Sequence, residues 1–235
     1  NNQLVSLKEC IVAKGFDLNT EDLRSYNYLN ENNNKDSNKN DVAFSITYRK
    51  IDDNNVDLIV VIRGSYNDEW SGNAELTGET YDSDQKQHTN FSIAKDSIEK
   101  PIEQYLSQYL SQYQNINLII TGHSRGAAVS NLYAKEAIDK INGINNSNDI
   151  PKFNKVTAYT FACPNVEKYN NTMENYSSIF NFCLSEDLVP TVPLTYPSDG
   201  WNYWKYGITY ITDLDYKYFW NYTGLDNRNT RLSIY

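Results

Sequence analysis

Two kinds of hydrophobic pattern alternate along the middle of the chain. Residues 56–62 (VDLIVVI) and 116–121 (INLIIT) are short, nearly continuous apolar runs, the texture of strands buried on both faces. Residues 42–48, 156–161 and 178–184 are strand-like as well. Between them, residues 91–113 place Ile98, Ile102, Tyr105, Leu106, Tyr109 and Leu110 at helical spacing, which predicts an amphipathic helix with Pro101 as a point where it could kink. Residues 124–140 predict a second helix. Strand, helix, strand, helix, strand is the order of a parallel sheet with helices packed on it, so an α/β fold is expected.

Before that core the pattern is weaker. Residues 7–16 and 21–29 carry faint helical periodicity, and residues 31–40 (ENNNKDSNKN) form a polar, Asn-rich stretch unable to bury apolar area, expected as a mobile surface loop. The chain has 235 residues, 40% of them hydrophobic, which suits one domain over residues 1–235. No apolar run reaches the roughly 18 residues of a membrane span. The polar Asn-Asn-Gln start lacks the basic-then-apolar pattern of a signal peptide, and the missing initiator Met is expected to mean that an upstream region was removed. A soluble protein is expected, with a secreted and a cytoplasmic location equally compatible.

Charge narrows the partners. At a net charge of -9, with no Lys/Arg cluster to neutralise successive phosphates, nucleic acid is not an expected partner. The same acidity weakens attraction to an anionic membrane, while transient contact of an apolar face with lipid stays open. The cysteines, Cys10, Cys163 and Cys183, have no metal-binding spacing, and no metal site is expected. They read as buried thiols, with a Cys163–Cys183 disulfide as the alternative if their strand ends are neighbours.

The chemistry lies where INLIIT meets GHSRGAAVSNLYAKEA. A nucleophilic serine on a sharp strand-to-helix turn needs minimal neighbours two positions away on each side, because the turn brings flanking backbone into contact. Gly122 and Gly126 supply them around Ser124, and Ala127, Ala128 and Ala134 keep the helix slim against the sheet. The helix N-terminus aims N–H groups at the place where an attacked ester carbonyl becomes negative, which makes the Arg125 N–H the first oxyanion donor.

Further segments, in the same chain order, resemble class 3 lipases. VVIRGS at 60–65 is similar to the family strand ending Arg-Gly-Ser/Thr, which implies Ser65 as the second oxyanion donor. Trp70 and Asn73 fall where the family has a Trp-x-x-Asn stretch, and His88 in QHTNFSIA resembles the family's His-x-Gly-Phe lead-in to a helix. TAYTFACPNV at 157–166 is similar to the family's Thr-Phe-Gly-x-Pro-Arg-Val, and NFCLSEDLVPTVP at 181–193 to its Asp-x-Val-Pro-x-Val-Pro. In that last segment the family's Asp orients the catalytic histidine, which implies this role for Asp187. WNYWKYG at 201–207 resembles the corresponding segment of bacterial members. The resemblance, covering about residues 42–207, implies an α/β-hydrolase fold: a mostly parallel central sheet with helices on both faces.

The sequence departs from the family at the general base. The base of such a site is a histidine located after the Asp, yet both histidines, His88 and His123, precede Asp187 and read as structural residues. NTRLSIY at 229–235 resembles the family's His-Ser-Met-x-x-Tyr-like segment with Thr230 in the histidine's place. The other expectation, which we favour, is that the base belongs to missing or altered sequence, the stretch after Gly207 being shorter than bacterial relatives usually carry.

Two surfaces bear on the substrate. Residues 66–87 are the lid candidate and also read as an ordinary polar loop. The aromatic run 196–222 suits an acyl pocket or a lipid interface, and equally an aromatic strand pair on the sheet edge. The resemblance implies hydrolysis of an acyl ester or lipid through an acyl-enzyme on Ser124, without a cofactor. The alternative is a non-catalytic domain of the same fold that binds lipid or a protein partner.

Overall fold

The computed structural model describes residues 12, 13, 15, 16, 24–26, 42–65, 87–144, 151–195 and 202–213. The Asn-rich stretch 31–40, residues 66–86 of the lid candidate, Cys10, Trp70, Asn73 and Thr230 lie outside them, as do 196–201 and 214–222 of the aromatic run.

The apolar runs become strands. In chain order the elements are β1 (Arg24–Tyr26), β2 (Phe44–Lys50), β3 (Asn55–Ile62), α1 (Thr89–Tyr105), β4 (Asn115–His123), α2 (Arg125–Ile141), β5 (Lys155–Phe161), β6 (Glu167–Lys168), β7 (Ile179–Leu184), β8 (Tyr203–Trp204) and β9 (Ile208–Thr212). Seven strands form one sheet in the order β1-β2-β3-β4-β5-β7-β9. β1, β2 and β3 pair antiparallel, and from β3 onward every neighbour is parallel. The helical expectation for residues 21–29 is corrected at Arg24–Tyr26, which pairs with Ile46–Phe44 as an edge strand. A faint periodicity loses there to backbone pairing with an available sheet edge. Pro101 lies inside α1, which runs on into a π-helical turn over Leu106–Leu110.

α1 links β3 to β4 and α2 links β4 to β5, and both pack on the same face of the sheet. On that face the core joins Val56, Leu58, Val60 and Ile62 of β3, Leu118 and Ile120 of β4, and Val156 and Ala158 of β5 with Ile98 and Ile102 of α1 and Val129 and Leu132 of α2. On the opposite face Phe16, just after the helical residues Val12 and Ala13, is buried with the Arg49 guanidinium 4.9 Å from its ring centre. Farther along that face the register lines up His123, Phe161, Phe182 and Tyr210. Their rings are exposed, and Phe161–Phe182 and Phe182–Tyr210 stack at 5.5 Å. Part of the aromatic run is therefore the edge strand β9, while Tyr203–Trp204 (β8) pair with β6 in a separate two-stranded sheet, so among the described residues the run supplies one edge strand and not the expected pair.

Candidate active site

β4 ends at His123 and α2 begins at Arg125, so a single residue, Ser124, makes the turn. It does so at φ 54, ψ -124, a conformation that costs a non-glycine residue about 1–3 kcal/mol. The turn is held from both sides: the Ser124 N–H donates to the Phe161 carbonyl of β5 (2.9 Å), and its own carbonyl accepts from Ala127 N–H (2.9 Å) and Ala128 N–H (3.1 Å).

The flanking glycines are sterically required. A Cβ on Gly122 would lie 2.4 Å from the Gly126 carbonyl group, and one on Gly126 would lie 2.5 Å from the Ile62 carbonyl oxygen and 2.7 Å from that of Arg63. The first turn of α2 is thus pressed against the end of β3. That contact also brings the segment after β3 to Ser124: a Cβ on Gly64 would be 3.6 Å from Ser124 Cβ and 3.0 Å from the His123 carbonyl oxygen. Ser65 is the next residue. Arg125, the first residue of α2, is buried at the positive end of the helix, where developing negative charge is stabilised.

Asp187 lies on the same edge of the sheet. It follows β7, two strands from β4, which corresponds to about 10 Å at the usual strand spacing. Its Oδ1 accepts the Val189 N–H at 2.9 Å, a local turn that fixes the carboxylate against its own backbone, and its N–H donates to the Leu184 carbonyl at 3.2 Å. The side chain is half-buried.

The histidines differ. His88 is only 4% exposed, stacks on Phe91 at 4.3 Å at the start of α1, and donates its backbone N–H to Val166. His123 is exposed beside Ser124. Cys163 and Cys183 are free, buried thiols, so the disulfide alternative does not hold. Burial pushes the Cys163 thiol up to about 12. Among the described residues no His, Cys, Asp and Glu side chains gather as a metal site, and no helix is long and apolar enough to cross a membrane.

Sequence reasoning missed the polar core beneath this edge. Asn131 Nδ2 donates to Asn181 Oδ1 (3.0 Å) and to the Tyr206 carbonyl (2.9 Å). Thr160 Oγ1 donates to Asn181 Oδ1 (2.6 Å), Asn181 Nδ2 donates to the Tyr206 carbonyl (2.9 Å), and the Tyr206 N–H donates to Asn131 Oδ1 (3.1 Å). This network joins α2, β5, β7 and the segment leading to β9. The available signal was an asparagine inside the apolar run IFNFCL.

The family model for class 3 lipases matches residues 59–196. No curated protein matches the sequence. Similar solved structures include a Rhizomucor miehei lipase in a propeptide complex (20% identity, TM-score 0.55, covering 87% of this chain and 63% of that one). Another is a lipase from Rhizopus microsporus var. chinensis (17% identity, TM-score 0.51, 88% and 65%). A third is a triacylglycerol lipase described as having a serine-protease triad as its catalytic centre (22% identity, TM-score 0.50, 82% and 67%). The chain spans less than two thirds of the length of the first two, and at these identities the likeness is one of fold.

Proposed function

Because the chain belongs to the class 3 lipase family, we propose that it is a serine carboxylic-ester hydrolase whose nucleophile is Ser124. The observation that carries this reading is the strained φ of Ser124 at the β4–α2 turn, enforced by Gly122 and Gly126 and faced by Gly64. Strain of this kind persists only where its surroundings impose it, and it presents a hydroxyl at the positive end of a helix.

In the proposed reaction Ser124 Oγ attacks the ester carbonyl carbon and the carbonyl π electrons move to oxygen. The oxyanion is met by the backbone N–H groups of Ser65 and Arg125. Collapse expels the alcohol and leaves an acyl-serine, which water hydrolyses. The serine proton needs a base, and Asp187 is assigned to orient it. The substrate class is an acyl ester of a lipid, a glyceride or a simple alcohol, with phospholipids included.

A second reading, a lipase-fold domain that binds lipid or a protein partner without turnover, is favoured by one observation: both histidines precede Asp187. The deciding measurement is hydrolysis of a short-chain p-nitrophenyl ester by this chain, by Thr230→His and by the gene product carrying any further downstream histidine, each with a Ser124→Ala control. A chain without a base is expected to turn over about 10³-fold or more below a complete triad, and restoring the base should recover the rate. Full activity in the unmodified chain, lost on Ser124→Ala, would move the base to His88 or His123. No Ser124-dependent turnover in any of the proteins would support the binding domain.

A further inference from the structure

The turn after Asp187 has an unusual donor problem. Residues 187–193 read DLVPTVP, and the two prolines have no N–H, so the turn offers mainly carbonyl oxygens by which the rest of the protein can grip it. The grip has to come from donors located elsewhere. Two residues, Lys205 and Asn165, supply them. Lys205 Nζ donates to the Pro190 carbonyl at 2.7 Å and to Asn165 Oδ1 at 3.0 Å. Asn165 donates its backbone N–H to the Val192 carbonyl at 2.9 Å and its Nδ2 to the Pro193 carbonyl at 2.8 Å.

We infer that Lys205 and Asn165 are positioning residues, which hold the Asp187 carboxylate in place by clamping the carbonyls of Pro190, Val192 and Pro193; this rests on the reading of Asp187 as the group that orients the base. The clamp acts through a short path. Pro190 lies in the 3-10 turn Val189–Thr191, and the first residue of that turn, Val189, gives its N–H to Asp187 Oδ1. Displacing Pro190 displaces the donor that fixes the carboxylate.

A clamp is useful only if its base is firm. Lys205 directly precedes Tyr206, whose N–H and carbonyl are both bonded into the buried Asn131–Asn181 network. Gly207 follows at φ +92, with its N–H on the Met173 carbonyl and so close to β7 that a Cβ would sit 2.3 Å from the Ile179 oxygen. The lysine arm therefore grows from a backbone anchored to α2 and to the start of β7, and it reaches the carboxyl edge beside β7's other end. Asn165 leaves the end of β5. Three separate segments, 160–166, 181–193 and 203–207, meet at the turn that carries Asp187.

The amine is placed at a cost. Burial lowers the Lys205 pKa, against the opposite pull of the nearby Cys163 and Cys183 thiols. An amine kept in such a site with both acceptors at hydrogen-bonding distance is spent on holding the Pro190 carbonyl and the Asn165 side chain.

The test separates positioning from stability alone. In Lys205→Met, hydrogen exchange of the Val189 amide, followed by NMR, is expected to accelerate at least about tenfold, while amides of β4 and β5 keep their protection. Lys205→Arg retains donors and should restore it. On a short-chain p-nitrophenyl ester, Lys205→Met should lower kcat about 10- to 100-fold with KM unchanged. Added to Asp187→Asn, it should cause little further loss, because both act through one carboxylate. Unchanged Val189 exchange, or a kcat loss that adds in full to that of Asp187→Asn, overturns the inference. If Lys205→Met does not fold, Asn165→Asp, which keeps the acceptor for Lys205 and loses the donor to Pro193, carries the same comparison. A parent chain without Ser124-dependent hydrolysis sinks the catalytic reading, and the exchange data then decide the clamp independently.

Discussion

The two turns that carry Ser124 and Asp187 lie on the same sheet edge and are held by opposite means. Around Ser124 the constraint is steric: backbone meets backbone at Gly122 and Gly126, with no room for a methyl group, and Gly64 packs tightly beside them. Around Asp187 the constraint is polar, a set of hydrogen bonds from Lys205, Asn165 and Val189 to carbonyls and a carboxylate. A steric constraint fails abruptly, because overlap energy rises steeply with the first added atom. A polar one weakens bond by bond, each worth about 1 kcal/mol net. The glycines of the Ser124 turn should therefore tolerate almost no substitution, and the Asp187 turn should degrade in steps.

The largest effect is expected at Gly126. Its methyl group would collide with the Ile62 and Arg63 carbonyls at 2.5 and 2.7 Å, so Gly126→Ala should cost more than about 3 kcal/mol or prevent folding. Urea denaturation measures it, and a loss below about 1 kcal/mol would mean that α2 can back away from β3. Asn165→Leu comes next: it removes one side-chain donor and one acceptor from the Asp187 turn, leaving the Pro193 carbonyl and one Lys205 proton unmatched, for about 2 kcal/mol. A cost equal to that of Gly126→Ala would erase the contrast between the turns.

Ser124→Gly should go the other way. Glycine relieves the φ 54 strain, so the folded state gains about 1–2 kcal/mol while hydrolysis disappears. Thermal unfolding beside Ser124→Ala, which keeps the strain, separates backbone relief from loss of the hydroxyl. Ala162→Gly is the smallest: Ala162 sits at φ 50, where the family resemblance has glycine, and relief there should stabilise by about 0.5–1 kcal/mol. If neither glycine stabilises, strain is not concentrated on this edge.

The buried thiols beside the Asp187 turn offer a chemical check. A thiol moved from its ordinary value of 9.0 up to about 12 by burial favours the protonated form. At pH 8 its thiolate fraction is about 10³-fold below that of a free cysteine. Iodoacetamide labelling of Cys163, read by peptide mass spectrometry, should be slow in the folded protein and fast in urea, with the rate still rising above pH 10. Ready labelling at pH 8 would show that the Asp187 turn opens on that timescale.

Much of the Ser124 turn was legible in GHSRG because its residue pattern is local, even though part of its steric constraint comes from the end of β3. A buried strand, a glycine on each side and a small-residue helix are all written within residues 116–134, and close packing leaves few residue types to choose from. The alternation of apolar runs and amphipathic stretches likewise announced the parallel sheet, since burial on two faces permits little else. The short strand Arg24–Tyr26 and the pair Glu167–Lys168 with Tyr203–Trp204 were not legible, being too short to show a period.

What the sequence determined by itself was the kind of fold and the identity of the residue at its sharpest turn, because both follow from local sterics and burial. What only the tertiary structure decided was the meaning of Asn131, Asn165, Asn181 and Lys205. Each is a polar residue whose partners lie 15 to 75 positions away in the chain, and a hydrogen bond to a backbone carbonyl leaves no mark on the residue type that accepts it.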